Sequence, residues 1–247
     1  MKRFVEVLSD KTSLITKAQE IMVSKMETAI KAKDYCSIAL AGGGTPKPLY
    51  ESLANQNLPW DKIHIFWGDE RYVPADHLDS NQLMARQAWL DKVAIPDENI
   101  HPMTINNESP EQDAANHERE LREFFGVASV EFPVFDLILL GIGDDGHTAS
   151  LFPNTDVLQE TEKAIAVGDK VGQPRITFTV PLINQADCVL FLVAGANKRD
   201  ALDQIFSSDA DDNAYPARLI KPQGELWWLL DETAGKFFKN NDLSLTS

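Results

Sequence analysis

Cysteine is scarce here: two residues in 247, Cys36 and Cys188, neither in a metal-like spacing. Each precedes or opens an apolar run, so both are expected as buried free thiols in a reducing compartment. Basic residues are also few. Lysine and arginine total 23 against 38 aspartates and glutamates, a formal net charge of -15. That balance argues against nucleic acid or an anionic membrane as partner, and it requires any anion site to be locally basic. No apolar run approaches transmembrane length, and Glu6 and Asp10 interrupt any signal-peptide core behind Lys2 and Arg3. A cytoplasmic location is expected. The five histidines are scattered and unmatched to spaced carboxylates, so no metal set is visible. Repeats, low-complexity tracts and Pro/Gly/Ser linkers are missing. With 43% hydrophobic residues, one large α/β domain over 1–247 is expected.

What the chain does have is an alternation of short apolar runs with amphipathic stretches. Phe4, Val5, Val7 and Leu8 suggest a first strand. Ser9 or Asp10 then caps a long helix with Leu14, Ala18, Ile21, Met22, Met26 and Ala29 on one face. Residues 37–40, 62–67, 135–140, 188–193 and 225–230 read as further strands, with 164–167 and the alternating 176–180 as shorter ones. Helices open at Ser80-Asn81, at Ser109-Pro110 with serine as cap, and at Asn197. Asp231 is expected to cap a closing helix carrying Phe237 and Phe238. The alternation predicts a mostly parallel sheet flanked by helices on both faces, Rossmann-like in plan.

Ligands of such sheets bind beyond the carboxyl ends of the strands, and four of these ends carry chemistry. The run 135–140 ends in Gly141-Ile142-Gly143-Asp144-Asp145-Gly146-His147, where a histidine beside carboxylates is a candidate general base. These glycines also fit GxGxxG, the dinucleotide fingerprint. Against that reading, Asp144 and Asp145 would repel a pyrophosphate, and Pro153 stops any helix beginning near Thr148. The run 37–40 leads into Ala41-Gly42-Gly43-Gly44-Thr45-Pro46. With Thr45 as cap and Pro46 as first helical residue, this is a plausible phosphate loop; a ligand-free turn fits the same residues. Lys47 in the first turn is unfavourable unless it serves something. Gly68-Asp69-Glu70-Arg71 follows the run 62–67, where Asp69 suits orientation or proton transfer and Arg71 suits an anion. Lys198 opens a helix, a place for a cation only if an anion is bound there. His64, His77, His101 and His117 are expected as structural or exposed.

Taken together, AGGGTPKPLYESLA, WGDERYVPADHLDSN, FDLILLGIGDDGHTASLFP, RITFTVPLINQA and VAGANKRDAL resemble, in order, the 6-phosphogluconolactonases of the pentose phosphate pathway. These are similar in fold to glucosamine-6-phosphate deaminases and ribose-5-phosphate isomerases. The chain departs from them at Ala41 and Gly44, where the family often has serines. The resemblance implies a cofactor-free, metal-free hydrolase whose partner is a small sugar-phosphate lactone, working as a monomer or small homo-oligomer. It implies His147 as general base and acid, with a reference pKa of about 6.5 near working pH. Asp145 or Asp69 would orient it, and Arg71 would face the oxyanion or the sugar hydroxyls. Gly43, Gly44, Thr45, Arg175 and Lys198 would hold the phosphate. Ser150 is disfavoured as a nucleophile because it lies deep in the turn. Two other readings stay open: a deaminating isomerase of amino-sugar phosphates, and a non-catalytic sugar-phosphate sensor.

Overall fold

The computed structural model describes residues 1–106, 109–236 and 238. Six strands form one parallel sheet. They are β1 (Lys2–Leu8), β2 (Cys36–Leu40), β3 (Ile63–Trp67), β5 (Leu137–Leu140), β8 (Cys188–Val193) and β9 (Glu225–Asp231), in the spatial order β1-β9-β8-β5-β2-β3. The order reverses between β2 and β5: from β2 the chain continues outward to β3, then returns to β5 on the other side. Loops leaving two such strands diverge and leave a crevice between them.

Side chains alternate across a strand, and β5 shows what that does here. Leu137 and Leu139 enter the core on one face of the sheet, Ile138 and Leu140 the core on the other. A strand buried on both faces must be apolar throughout, which is why LILL reads as a continuous run. Each such side chain contributes about 1.5–3 kcal/mol on burial, so the loop after β5 leaves from a firmly held base. Helix α1 (Lys11–Lys33) covers one face through Leu14, Ala18, Ile21, Met22, Met26 and Ala29, the stripe expected from its period. Asp10 caps it, accepting from the Ser13 amide at 2.8 Å. Helices α2 (Lys47–Leu53) and α3 (Asn81–Ala88) pack on the same side. Helix α4 (Pro110–Phe125), capped by Ser109, packs on the other. So does α6 (Arg199–Phe206).

Several expectations are corrected. Asp69–Arg71 is not a loop cluster but a short strand, β4, at the edge of a second sheet. There it pairs antiparallel with β7 (Gln173–Phe178), which pairs with β6 (Ile165–Lys170). The Phe178 amide donates to the Gly68 carbonyl at 2.8 Å, fixing the small sheet against the tip of β3. Pro46, not Thr45, sits at the cap position of α2, and no side chain caps that helix. β7 ends at Phe178 and a short helix, α5 (Val180–Asn184), follows, so the run 176–180 is strand only in its first part. Beyond Asp231 the chain makes turns through Lys236, and Phe237 lies outside the described residues. His64 and His101, expected as structural or exposed, are structural and share a hydrogen bond, Nδ1 to Nε2 at 3.1 Å. His117 is buried on α4, and neither ring nitrogen has a partner among the described residues.

Candidate active site

The loop after β5 is shaped around one side chain. His147 Nδ1 lies 2.5 Å from Asp145 Oδ1, and the same oxygen accepts from the His147 amide at 3.1 Å. Gly143 is glycine because this pair lies on it: a Cβ there would sit 2.0 Å from His147 Nδ1 and 2.4 Å from Asp145 Oδ1. The glycine spacing therefore makes room for an imidazole–carboxylate pair rather than for a pyrophosphate. Burial by itself raises the Asp145 carboxyl, but the hydrogen bond and charge of the imidazole outweigh it and hold it at about 2. With Nδ1 donating to an ionised carboxylate, the tautomer leaves the Nε2 lone pair free. The imidazole is half-buried, and its other neighbour is the Phe152 ring, centroid to centroid 4.6 Å. After His147 the chain turns rather than forming a helix, with Ala149 at φ 47.

Asp69 does not orient the histidine. Its place on β4, opposite Thr177 on β7, directs it at Ser150, whose Oγ donates to Asp69 Oδ2 at 2.7 Å. Thr177 Oγ1 accepts from the Ser150 amide at 3.1 Å. Ser150 is thus fully buried and engaged, a tie between the catalytic-loop candidate and the small sheet. Glu70, which the motif reading left without a role, is the other anchor. Its buried carboxylate accepts from the amides of Arg71, Asn81 and Gln82, each at 2.8 Å, and from Ser80 Oγ at 3.1 Å. Burial raises its pKa, and those amides pull the other way. A carboxylate at the first turn of α3 is where the helix dipole favours one.

Arg71 and Arg175 are direct cross-strand partners. Like charges so placed repel. Burial lowers the Arg175 pKa first, and the Arg71 charge lowers it further. Arg71 Nη1 donates to the Asp79 carbonyl at 2.5 Å, while the Nε of both arginines is buried without a partner among the described residues. At the far side of the crevice, Lys198 is the cap residue of α6 and its Nζ lies 2.6 Å from Asp144 Oδ1. Gly43 and Gly44 are exposed, with open space where a Cβ would stand. Lys47 reaches Glu51 at 3.9 Å along an exposed helix face and takes no part.

One cleft of about 270 Å³ gathers Gly43, Gly44, Thr45, Asp69, Arg71, His147, Arg175 and Lys198, with Asp145 behind the histidine. Asn81, Phe152 and Lys170 also line it and carried no signal of their own in the sequence. A larger groove of about 960 Å³, between α4 and β6, holds none of these residues. Among the described residues no group of three or more His, Cys, Asp or Glu is placed to hold a metal ion. No described helix is long and apolar enough to cross a membrane.

Fold and cleft together define a parallel α/β protein with an imidazole–carboxylate pair beside basic side chains, at the topological switch of its sheet. Comparison with known proteins narrows this. The family described as glucosamine-6-phosphate isomerases/6-phosphogluconolactonase matches residues 9–228. A 6-phosphogluconolactonase of Nostoc sp. is 59% identical over 95% of this chain and 98% of its own length. One from Synechocystis sp. is 60% identical over 94% and 97%. The solved 6-phosphogluconolactonase of Trypanosoma cruzi is 30% identical, with a TM-score of 0.86 over 98% of this chain and 97% of its own. The chain belongs to the glucosamine-6-phosphate isomerase/6-phosphogluconolactonase family.

Proposed function

We propose that this chain hydrolyses 6-phosphoglucono-1,5-lactone to 6-phosphogluconate, as a carboxylic ester hydrolase of the oxidative pentose phosphate pathway. The observation that carries the reading is the Asp145–His147 pair at 2.5 Å, opening on a cleft with unpartnered arginine nitrogens. The names of the Nostoc and Synechocystis relatives support the same reaction.

A lactone is an ester, so hydrolysis needs a base for water, charge stabilisation for the tetrahedral oxyanion, and a proton for the departing ring oxygen. His147 Nε2 accepts a proton from water as that water attacks the carbonyl, and the imidazolium is steadied by Asp145. The same nitrogen then returns the proton to the ring oxygen as the C–O bond breaks. Arg71 faces the developing oxyanion or the sugar hydroxyls. Asp69 acts indirectly, holding Ser150 and with it the turn that follows His147. The phosphate dianion falls to Arg175 and Lys198 with the amides of Gly43 and Gly44 and the Thr45 hydroxyl. Each charge-assisted hydrogen bond contributes on the order of 1.5–3 kcal/mol, and binding at that remote end positions the carbonyl for attack. The net charge of -15 does not oppose this at close range, because salt screens it beyond about 8–10 Å.

The test is loss of freshly prepared lactone above its spontaneous rate. Wild-type protein should accelerate it, and His147→Ala should remove most of the gain. Equal loss with and without wild-type protein refutes the reading. Ammonia release from glucosamine 6-phosphate would place the chain with the deaminating branch instead.

A further inference from the structure

Paired residues on neighbouring strands share a face, as do alternate residues along one strand. In the small sheet this rule sorts the side chains into two sets. Glu70, Ile176, Val167, Ile165 and Phe178 share one face, and Ile165, Ile176 and Phe178 are buried in the core. The opposite face begins with Asp69 and Thr177, bound to Ser150. It continues through Arg71 and Arg175 and ends with Lys170 opposite Gln173. Gly168 stands beside the arginines, where a Cβ would lie 2.2 Å from the Ser150 carbonyl oxygen. This face looks into the cleft, since Asp69, Arg71, Arg175 and Lys170 all line it.

The hairpin that presents Lys170 is tightly specified. Val171 and Gly172 form a two-residue loop with φ 55 and 80, the primed geometry that matches strand twist. Asp169 Oδ1 accepts from the Gly172 amide at 2.7 Å and closes it. Lys170 Nζ and Arg175 Cζ each stand 6.0 Å from the centroid of the Phe152 ring, the ring that also contacts His147. Carboxylates outnumber cations 38 to 23 in this chain. Yet Arg71, Arg175 and Lys170 make no ion pair among the described residues. Asp69, Glu70 and Asp79 act on Arg175 only at longer range. The one carboxylate on this face, Asp69, is held by Ser150 rather than by a cation, and cations gathered there without an ion pair point to an anion that arrives with the ligand.

We propose that Lys170 is a phosphate-contacting specificity residue, carried over the cleft by the β6–β7 hairpin to act with Arg175 on the dianionic end of the substrate. The inference rests on the lactonase reading and adds to it a residue outside every strand-end motif. Lys170 is exposed at a hairpin tip, so its replacement leaves the core untouched.

Three variants test it, Lys170→Ala, Lys170→Glu and Lys170→Arg, assayed on 6-phosphogluconolactone and on unphosphorylated glucono-1,5-lactone. Alanine should raise KM for the phosphorylated lactone about tenfold, the lower end of a charge-assisted contact, with kcat changed less than about twofold. Glutamate should raise it further and arginine restore it to within about threefold, while KM for the unphosphorylated lactone moves little. Inorganic phosphate should inhibit the alanine variant more weakly than the wild type. Unchanged KM in the alanine and glutamate variants, or an equal rise for both lactones, overturns the proposal while leaving the lactonase reading intact. Failure of the wild type on the phosphorylated lactone overturns both.

Discussion

Replacing Arg175 by methionine should stabilise the fold while weakening the enzyme. Methionine keeps an apolar stem against Phe152 and removes the charge. Three terms act on the guanidinium in the ligand-free protein. It is half-buried with an unpartnered Nε, it faces Arg71 directly across the strand pair, and Asp69, Glu70 and Asp79 offset this at longer range. The net is unfavourable, since burial and then Arg71 leave its pKa lowered. Removing a directly opposed like charge is worth about 0.2–1 kcal/mol, so a gain of roughly that size in urea unfolding is expected. Binding moves the opposite way. One lost charge-assisted contact to phosphate, about 1.5–3 kcal/mol, corresponds to a rise in KM of roughly 10- to 150-fold. Equilibrium unfolding and lactone kinetics on the same preparation read both quantities. A variant that loses stability and activity together refutes the idea that the arginine pair is held against its own repulsion for the sake of an anion.

Asp145→Asn should lower kcat by two orders of magnitude or more at neutral pH with a smaller change in KM, because an amide no longer fixes the imidazole tautomer or steadies its charged form. A KM effect alone would argue that Asp145 only shapes the cleft. Acid should act through His117, whose pKa is lowered to about 4 by burial and by His101, from an ordinary value of about 6.5. The unfolded chain takes up this proton as pH falls through about 6.5, the folded one only near 4, so stability is lost across that window as pH falls. At pH 5 the loss due to this group is about 2 kcal/mol relative to neutral pH. His117→Leu, which also removes two unpartnered nitrogens, should lose about that much less between pH 7.5 and pH 5 in urea unfolding. Parallel losses in the two proteins would show that the buried imidazole carries no such penalty.

The parts of this molecule legible in its sequence are those governed by local period and local chain chemistry. The α1 stripe from Leu14 to Ala29 needs only the helical repeat, and LILL at β5 needs only burial on both faces. The glycine-rich ends of β2 and β5 announce tight turns, and where a parallel sheet places such turns is general to the architecture. That rule points to Gly43, Gly44, Thr45, Asp69, Arg71, His147 and Lys198, the family resemblance adds Arg175, and all eight line one cleft.

Pairing between distant segments decided the rest, because register is set by contacts that no local pattern contains. Nothing in the sequence ranks Asp145 above Asp69 as partner of His147; the antiparallel pairing of β4 with β7 does, by aiming Asp69 at Ser150. The same register sets Arg71 against Arg175 and carries Lys170 to the hairpin tip. Glu70 reads as a surface charge until the start of α3 closes over it with three amides and a hydroxyl. His64 and His101, far apart in the chain, meet only because the segment carrying His101 runs beside β3. Sequence thus determined which chemistry stands at the strand ends, through short-range periodicity. Tertiary structure determined which groups face one another there, through long-range register.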